Sequence, residues 1–332
     1  MLRYLSPWLT TTNRCNCKCA YCFVDKNIID MDQETYNSIN KYFLQLIKND
    51  RIDGCTYRMA GGEPLLVIKD WYDFAKEFCS YDNKKCRIET ITNFTLFPQE
   101  LIELLNLENF NISISLDSIS YSKPFNDGIS SHNKVISNID IYKKQYNKKP
   151  YILTVLTENG KYLPELAQYI IDIGAGWKIS TNKFFESNFN TDEVNKNINK
   201  VLFIFDKNKY PITKLDFNFC KVNTPAKTGC NNGKSIFAID QYGNFTNCQM
   251  DSMALGNIKQ DDVISILKNN STCFSACSKC KTCSIVDFCH GNCPKCKQPA
   301  ENGYLCNVTK NFVFNALILY KNQLKEGIYA QL

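Results

Sequence analysis

Cys15, Cys19 and Cys22 are spaced C-x3-C-x2-C, with Cys17 between the first two, so four thiols fall within eight residues. Three thiolates can each hold one iron of a [4Fe-4S] cube. The fourth iron then lacks a protein ligand and stays open to a small molecule, the general mark of a catalytic metal site. On residue type alone, Cys17 competes as a ligand. The chain has 18 cysteines but only two histidines, His132 and His290. Sites of the Cys2His2 kind are thereby nearly excluded. All-thiolate sites are favoured, and these select zinc or iron–sulfur clusters.

Such a loop needs a scaffold. It closely follows an apolar run at 4–10, the first of six candidate strands; the others are 55–60, 86–92, 110–116, 150–156 and 176–180. Amphipathic stretches lie between them. Tyr36, Ile39, Phe43 and Leu46 fall at helical spacing after an acidic start, and 163–175 is a second helix. Six strand-then-helix units imply a parallel sheet with right-handed crossovers. Six is fewer than the eight of a closed barrel. The fold class is therefore α/β: a partial (β/α)6 TIM-like barrel, with an open sheet as the alternative. In either, active-site residues gather at the C-terminal ends of the strands, where the cysteine loop sits.

A chain of 332 residues suits one large domain and a smaller one. The expected divisions are a core at 1–215, a cysteine-rich domain at 216–308 and an amphipathic C-terminal helix at 309–332. Residues 217–308 carry eleven of the cysteines, in a stretch with too little core to stand without metal. The string SIFAIDQYGNFTNC around Gly243 predicts a hairpin. In the last helix Val313, Leu317, Tyr320 and Leu324 are placed on one face, as a cover packed on the protein. No run reaches membrane-spanning length and no export signal is visible, so the expectation is a cytoplasmic protein with reduced thiols. Cys55, Cys79 and Cys86 read as small buried hydrophobes. The net charge of +6 treats every cysteine as neutral. Cluster charges of about −5 in total would bring it to about +1, and no basic stripe interleaved with aromatics argues for nucleic acid.

The cysteine loop resembles the motif of the radical SAM superfamily, C-x3-C-x-aromatic-C, with Tyr21 at the aromatic position. Spacing alone is cheap, since Cys273, Cys277 and Cys280 repeat it. The order of the later motifs is specific. Gly61, Gly62, Glu63 and Pro64 come after the second strand, where the family binds the methionine part of S-adenosylmethionine. Ile91–Asn93 ends the third strand. Ser115–Ser118, reading SLDS, ends the fourth, with Ser118 where the family has glycine. The resemblance implies that Cys15, Cys19 and Cys22 hold the cluster. It places Tyr21 near the adenine, Asn93 at the cofactor, and Ser115 and Asp117 at the ribose, where a strand-end turn is the alternative for Asp117. The implied chemistry is reductive cleavage of S-adenosylmethionine to a 5′-deoxyadenosyl radical, which removes hydrogen from substrate.

The C-terminal cysteines resemble the seven-cysteine SPASM pattern of peptide-modifying members of that superfamily. They run Cys230, Gly243, Cys248, then Cys280, Cys283, Cys289, Cys293 and Cys306. This resemblance implies two auxiliary [4Fe-4S] clusters. The first would use Cys230, Cys248, Cys293 and, as upstream candidate, Cys220. The second would use Cys280, Cys283, Cys289 and Cys306. Cys273, Cys277 and Cys296 are surplus, and His290 reads as a loop residue. Structural zinc on the C-x2-C pair is the competing reading.

The resemblance further implies a peptide or protein substrate and an external electron donor such as a flavodoxin or ferredoxin. No leader-binding module precedes the loop, so a separate leader-recognition protein is expected, or a short substrate read directly. The products would be a thioether or carbon–carbon cross-link or a related oxidation. Formylglycine formation, as in the sulfatase-maturing branch, is the alternative. There an aspartate base follows the cysteine matching Cys248; here Gln249 stands in that place, and Asp251 is the nearest acid and the candidate base. A radical enzyme with a small-molecule substrate, and a non-enzymatic iron–sulfur carrier or zinc-stapled module, are the remaining alternatives.

Overall fold

The computed structural model describes residues 4–120, 131–146, 148–181, 189–218, 220–223, 232–270, 278–289 and 304–331. Cys230, Cys273, Cys277, His290, Cys293 and Cys296 lie outside them. In chain order the elements are β1 (Tyr4–Thr12), α1 (Gln33–Lys48), β2 (Gly54–Gly61), α2 (Ile68–Tyr81), β3 (Cys86–Thr92), α3 (Gln99–Leu105), β4 (Phe110–Ser115) and α4 (His132–Tyr146). Next come β5 (Tyr151–Leu156), α5 (Leu163–Asp172), β6 (Gly176–Thr181), α6 (Thr191–Lys207), β7 (Leu215–Phe217), β8 (Ile236–Ile239), β9 (Asn244–Thr246), β10 (Ala254–Asn257) and α7 (Val263–Asn269). The last helices are α8 (Ser278–Lys281), α9 (Val286–Cys289) and α10 (Tyr304–Lys325). The architecture is a mostly parallel α/β sheet with intervening helices. All six strands read from the sequence are present, shifted at their ends by no more than two residues.

The chain forms two compact units. One takes in the described residues of 1–113, 124–146 and 231–273, the other those of 114–123, 147–230 and 274–332. In the first, β1 and β2 pair in parallel from Tyr4↔Gly54 to Thr10↔Ala60, and β2 pairs β3 from Cys55↔Cys86. The expected hairpin is β8–β9, with Ala238 opposite Thr246. Its turn is closed by Gly243 N donating to Asp240 O at 3.1 Å, and Gly243 holds the left-handed φ of +84° that a side chain would disfavour. The hairpin does not stand apart from the N-terminal strands. β8 adds to β1 in parallel, Ser6↔Ile236 to Leu9↔Ile239, and Phe237 stacks on Phe43 of α1 at 6.3 Å.

The face of α1 is the one its periodicity predicts: Tyr36, Ile39, Phe43 and Leu46 are all buried. Asp32 caps the helix by accepting from Thr35 N. Cys55, Cys79 and Cys86 are buried in this core. Burial pushes the Cys86 thiol up to about 12 and the Cys55 thiol well above its ordinary value, so these two thiols stay protonated and behave as apolar groups.

In the second unit β5, β6 and β7 run parallel, and α10 packs along α6. The buried face of α10 is rotated from the expected one. Leu305, Val308, Phe312, Val313, Ala316 and Leu319 are buried, whereas Leu324 is 51% exposed. Two contacts set this phase. Phe312 stacks on Phe217 at 5.0 Å. The buried Gln323 amide donates to Tyr210 O at 2.8 Å and accepts from Ile212 N at 2.9 Å. Buried polar groups must be paired, so a glutamine overrides the apolar spacing. Among the described residues no helix is long and apolar enough to cross a membrane.

Candidate functional site

The cysteine loop leaves β1 at Thr12 and is tied down at its base. Arg14 grips the Asp30 carboxylate with Nε at 3.0 Å and a second guanidinium nitrogen at 2.6 Å, a two-pronged charge-assisted contact. Thr12 Oγ1 also donates to Asp30, and Asn13 N donates to Ile29 O at 2.9 Å. The loop is therefore closed at both ends before any group binds in it. Cys15, Cys19 and Cys22 are half-buried, while Cys17 is 1% exposed. Cys22 N donates to Cys19 O at 3.1 Å, a turn that joins two of the three motif cysteines. Tyr21, on that turn, is half-buried.

The end of β2 is laced to this base. Gly62 N donates to Thr12 O and Glu63 N donates to Arg14 O, each at 2.7 Å. The two glycines allow the approach: Cβ atoms at Gly61 and Gly62 would stand 2.3 and 2.0 Å from the Thr12 and Arg14 carbonyl oxygens. Glu63 then turns inward, 1% exposed. Its carboxylate accepts from Leu65 N at 3.1 Å, Thr92 Oγ1 at 2.6 Å and Asn93 N at 2.7 Å. Pro64 opens the short helical turn that follows. Burial pushes the Glu63 carboxyl up to about 7, against the pull of those three hydrogen bonds.

Glu63 thus clamps the end of β3 to the end of β2. A carboxylate accepts at both oxygens, but the amide of Glu63→Gln must aim one donor at another donor. This substitution is expected to lower the unfolding free energy by about 1–3 kcal/mol, read from denaturant melts. An unchanged midpoint would remove the clamp.

Asn93 continues the same seam. Its Nδ2 donates to Asn16 Oδ1 at 2.8 Å and to Cys17 Sγ at 3.4 Å, while its Oδ1 accepts from Thr95 N and Oγ1. Asn16 Nδ2 donates in turn to Thr95 Oγ1 at 2.9 Å. The sequence pointed to Asn93 but not to Asn16 or Thr95; the only trace of them there is a polar residue inside the cysteine motif and another just after the third-strand motif.

The β8–β9 turn and the segment after β9 belong to the same unit. Gln241 donates to Asn13 Oδ1 at 2.7 Å. A cavity of about 170 Å³ opens among Thr10, Asn13, Phe23, Asp25, Gly61 and Gln249. It is smaller than the roughly 300–1,000 Å³ of drug-sized sites, the size for one side chain. Gln249 follows Cys248, which is 7% exposed. Asp251 does not line this cavity; it accepts from Asn247 Nδ2 at 2.9 Å and Met253 N at 3.4 Å, within its own turn. A larger hollow of about 530 Å³ lies open along α6 from Asp192 to Phe203, with no motif residue in its wall.

The second unit holds the remaining described candidates. Asp117 is buried and accepts from Val155 N at 2.9 Å; Ser115 is half-buried. Ser118 donates to Glu165 Oε1 at 2.9 Å and accepts from Ser120 N, so the serine departing from the usual glycine has a structural use. Cys283 N donates to Cys280 O at 3.1 Å, the knuckle expected of C-x2-C. Cys220 is 2% exposed, and its thiol, hydrogen-bonded to Cys289 and buried, is pushed far up. The sequence reading put these two in different clusters. Cys306 lies half-buried on α10.

Among the described residues no three Cys, His, Asp or Glu side chains converge tightly enough to cage a single ion. A cube binds its thiolates on separate irons. Three half-buried sulfurs on one closed loop have the donor chemistry for that.

Residues 9–170 match the radical SAM superfamily. A protein of Methanocaldococcus jannaschii without assigned function is 28% identical over 79% of this chain and 92% of its own length. A cysteine-type anaerobic sulfatase-maturating enzyme of Clostridium perfringens is 23% identical over 94% of this chain and 96% of its own. The radical SAM cyclopropyl synthase TigE of Paramaledivibacter caminithermalis is 23% identical over 86% of this chain, which spans 66% of TigE. Among solved structures, anSMEcpe with bound AdoMet and the Cp18Cys peptide superposes with a TM-score of 0.78 at 19% identity, covering 97% of this chain and 99% of that one. Streptococcus suis SuiB bound to precursor peptide SuiA gives 0.65 at 15%, covering 91% and 75%. At these identities the likenesses carry the fold, and the α/β fold class read from the sequence agrees with them.

Proposed function

From a chain that carries a radical SAM domain, we propose a peptide-modifying enzyme that abstracts hydrogen from a peptide or protein substrate and leaves a cross-link or a related oxidation. The carrying observation is the lacing of the cysteine loop to Gly61–Glu63 through Gly62 N, Glu63 N and the Glu63 carboxylate. It joins a three-thiol loop to the backbone segment at which the resemblance places the methionine end of S-adenosylmethionine. The relatives named for peptide maturation add the substrate class.

Cys15, Cys19 and Cys22 would hold a [4Fe-4S] cluster, which when bound supplies the electron that splits S-adenosylmethionine to methionine and a 5′-deoxyadenosyl radical. Gly61, Gly62 and Pro64 shape the backbone that receives the methionine end. Glu63 and Asn93 fix that backbone from beneath. Tyr21 is assigned to the adenine, and Ser115 and Asp117 to the ribose. Cys248, Cys280, Cys283, Cys289 and Cys306, with Cys230 and Cys293 outside the described residues, are assigned to two auxiliary clusters. The Cys220–Cys289 contact makes Cys220 a candidate for either set. Asp25 and Gln249 border the cavity that suits a substrate side chain, and Asp251 remains the candidate base through its turn. An external electron donor completes the proposal.

Similarity to the Clostridium perfringens enzyme over almost the full length of both chains favours a second reading, formylglycine formation. Gln249 in the place of an acid weighs against it. The anaerobically reconstituted protein is expected to carry about twelve irons per chain and to release 5′-deoxyadenosine under reductant. About four irons, with zinc elsewhere, would remove the auxiliary clusters. Formylglycine on a cysteine-bearing sulfatase peptide, read by mass spectrometry, would select the second reading.

A further inference from the structure

Cys17 is the one thiol of the loop that turns into the protein, 1% exposed beside three half-buried neighbours. Contacts with Asn93, Lys26 and Cys15 help to hold it. Its Sγ accepts from Asn93 Nδ2 at 3.4 Å. Its carbonyl oxygen accepts from Lys26 Nζ. Its own N–H donates to Cys15 Sγ at 3.4 Å. The Asn93 amide is itself fixed by Asn16 and Thr95.

Side chain and backbone of Cys17 therefore act in opposite directions. The thiol is anchored on the protein side, and the amide points at a motif sulfur on the other. Hydrogen bonds to ligating sulfur are among the determinants of iron–sulfur potentials. A donor stabilises the more electron-rich, reduced state and so raises the potential. Partners behind the ligands also fix their orientation.

We infer that Cys17 is a positioning residue and not a cluster ligand: anchored through Asn93, it aims its N–H at Cys15 and sets the reduction potential of the cluster bound there. The inference rests on the functional reading above and goes beyond it, because that reading assigns Cys17 nothing. An exposed turn at this position would leave the N–H free to rotate toward water. A buried, acceptor-bearing side chain holds it in place.

The experiment uses the full-length, anaerobically reconstituted protein and its Cys17→Ser, Cys17→Ala and Thr95→Val variants. Iron per chain is counted. The potential is taken from redox titration of the electron paramagnetic resonance signal that changes on adding S-adenosylmethionine, which separates this cluster from any other. Serine keeps an acceptor for Asn93, so Cys17→Ser is expected to match the unmutated protein in iron and potential. Cys17→Ala is expected to keep its iron but shift the potential to more negative values. Thr95→Val, close in shape and outside the loop, loosens Asn93 and is expected to shift it the same way by less. Iron loss in Cys17→Ser matching that of Cys15→Ala would make Cys17 a ligand and overturn the inference. So would potentials unmoved in both Cys17→Ala and Thr95→Val. An unmutated protein with no signal responsive to S-adenosylmethionine would overturn the functional reading and this inference together.

Discussion

Replacing Cys15, Cys19 or Cys22 singly by alanine is expected to reduce 5′-deoxyadenosine formation at least about 10³-fold, a barrier increase of about 4 kcal/mol or more. Each change would remove one of the three proposed protein ligands from a group that already has an open position, and a two-thiolate site would no longer fix the remaining iron. The fold should survive. All three side chains are half-buried on a loop whose ends are held by the Arg14, Asp30 and Thr12 side chains, which the substitutions leave in place. The thermal midpoint of the apoprotein should therefore move little, while iron per chain falls by about four. The contrast with Cys17→Ala, which should keep its iron, is internal to one loop and removes general disruption as an explanation. Full activity in any of the three variants would end the account, because no other described thiol stands on that loop except Cys17.

Part of the candidate site was legible in one dimension. Cys15, Cys19 and Cys22, the proposed ligands, stand out because the spacing of thiols along a loop is covalent and is read directly from the count of intervening residues. The six strands and the buried stripe of α1 were legible because periodicity is local. What escaped detection is long-range. Glu63 meets Thr92 and Asn93 across 29 and 30 residues, and Gln241 meets Asn13 across 228. No pattern in a short window encodes such pairings. The parallel addition of β8 to β1 is of the same kind: four residues give too little period to say which edge they join. In α10 the apolar spacing offered more than one face, and a buried glutamine, invisible to a hydrophobicity count, chose between them. Cys17 could not be told from its neighbours by type; only its burial and its partner distinguish it.

The second large effect is expected from a single methyl group. At Gly62 an added Cβ would lie 2.0 Å from Arg14 O and 2.6 Å from Arg14 C. Both are backbone atoms, so no side-chain rotation relieves the clash, and the strand end must withdraw from the loop. Withdrawal breaks the bonds from Gly62 N to Thr12 O and from Glu63 N to Arg14 O, at about 1 kcal/mol each. Overpacking adds about 1–3 kcal/mol. Gly62→Ala is thus expected to lose about 3–5 kcal/mol of stability and to weaken S-adenosylmethionine binding at least about tenfold, while the proposed cysteine ligands are left in place. Gly174→Ala is the control. Gly174, unlike Gly62, has a left-handed backbone, φ +68°, but nothing lies within 4 Å of its added Cβ, so it should cost only the strain of about 1–2 kcal/mol and leave binding alone. Denaturant melts and equilibrium binding of S-adenosylmethionine to the iron-loaded protein measure both. If the two variants behaved alike, backbone flexibility would explain the result, and the close approach of Gly62 to the cysteine loop would have no part in holding the cofactor.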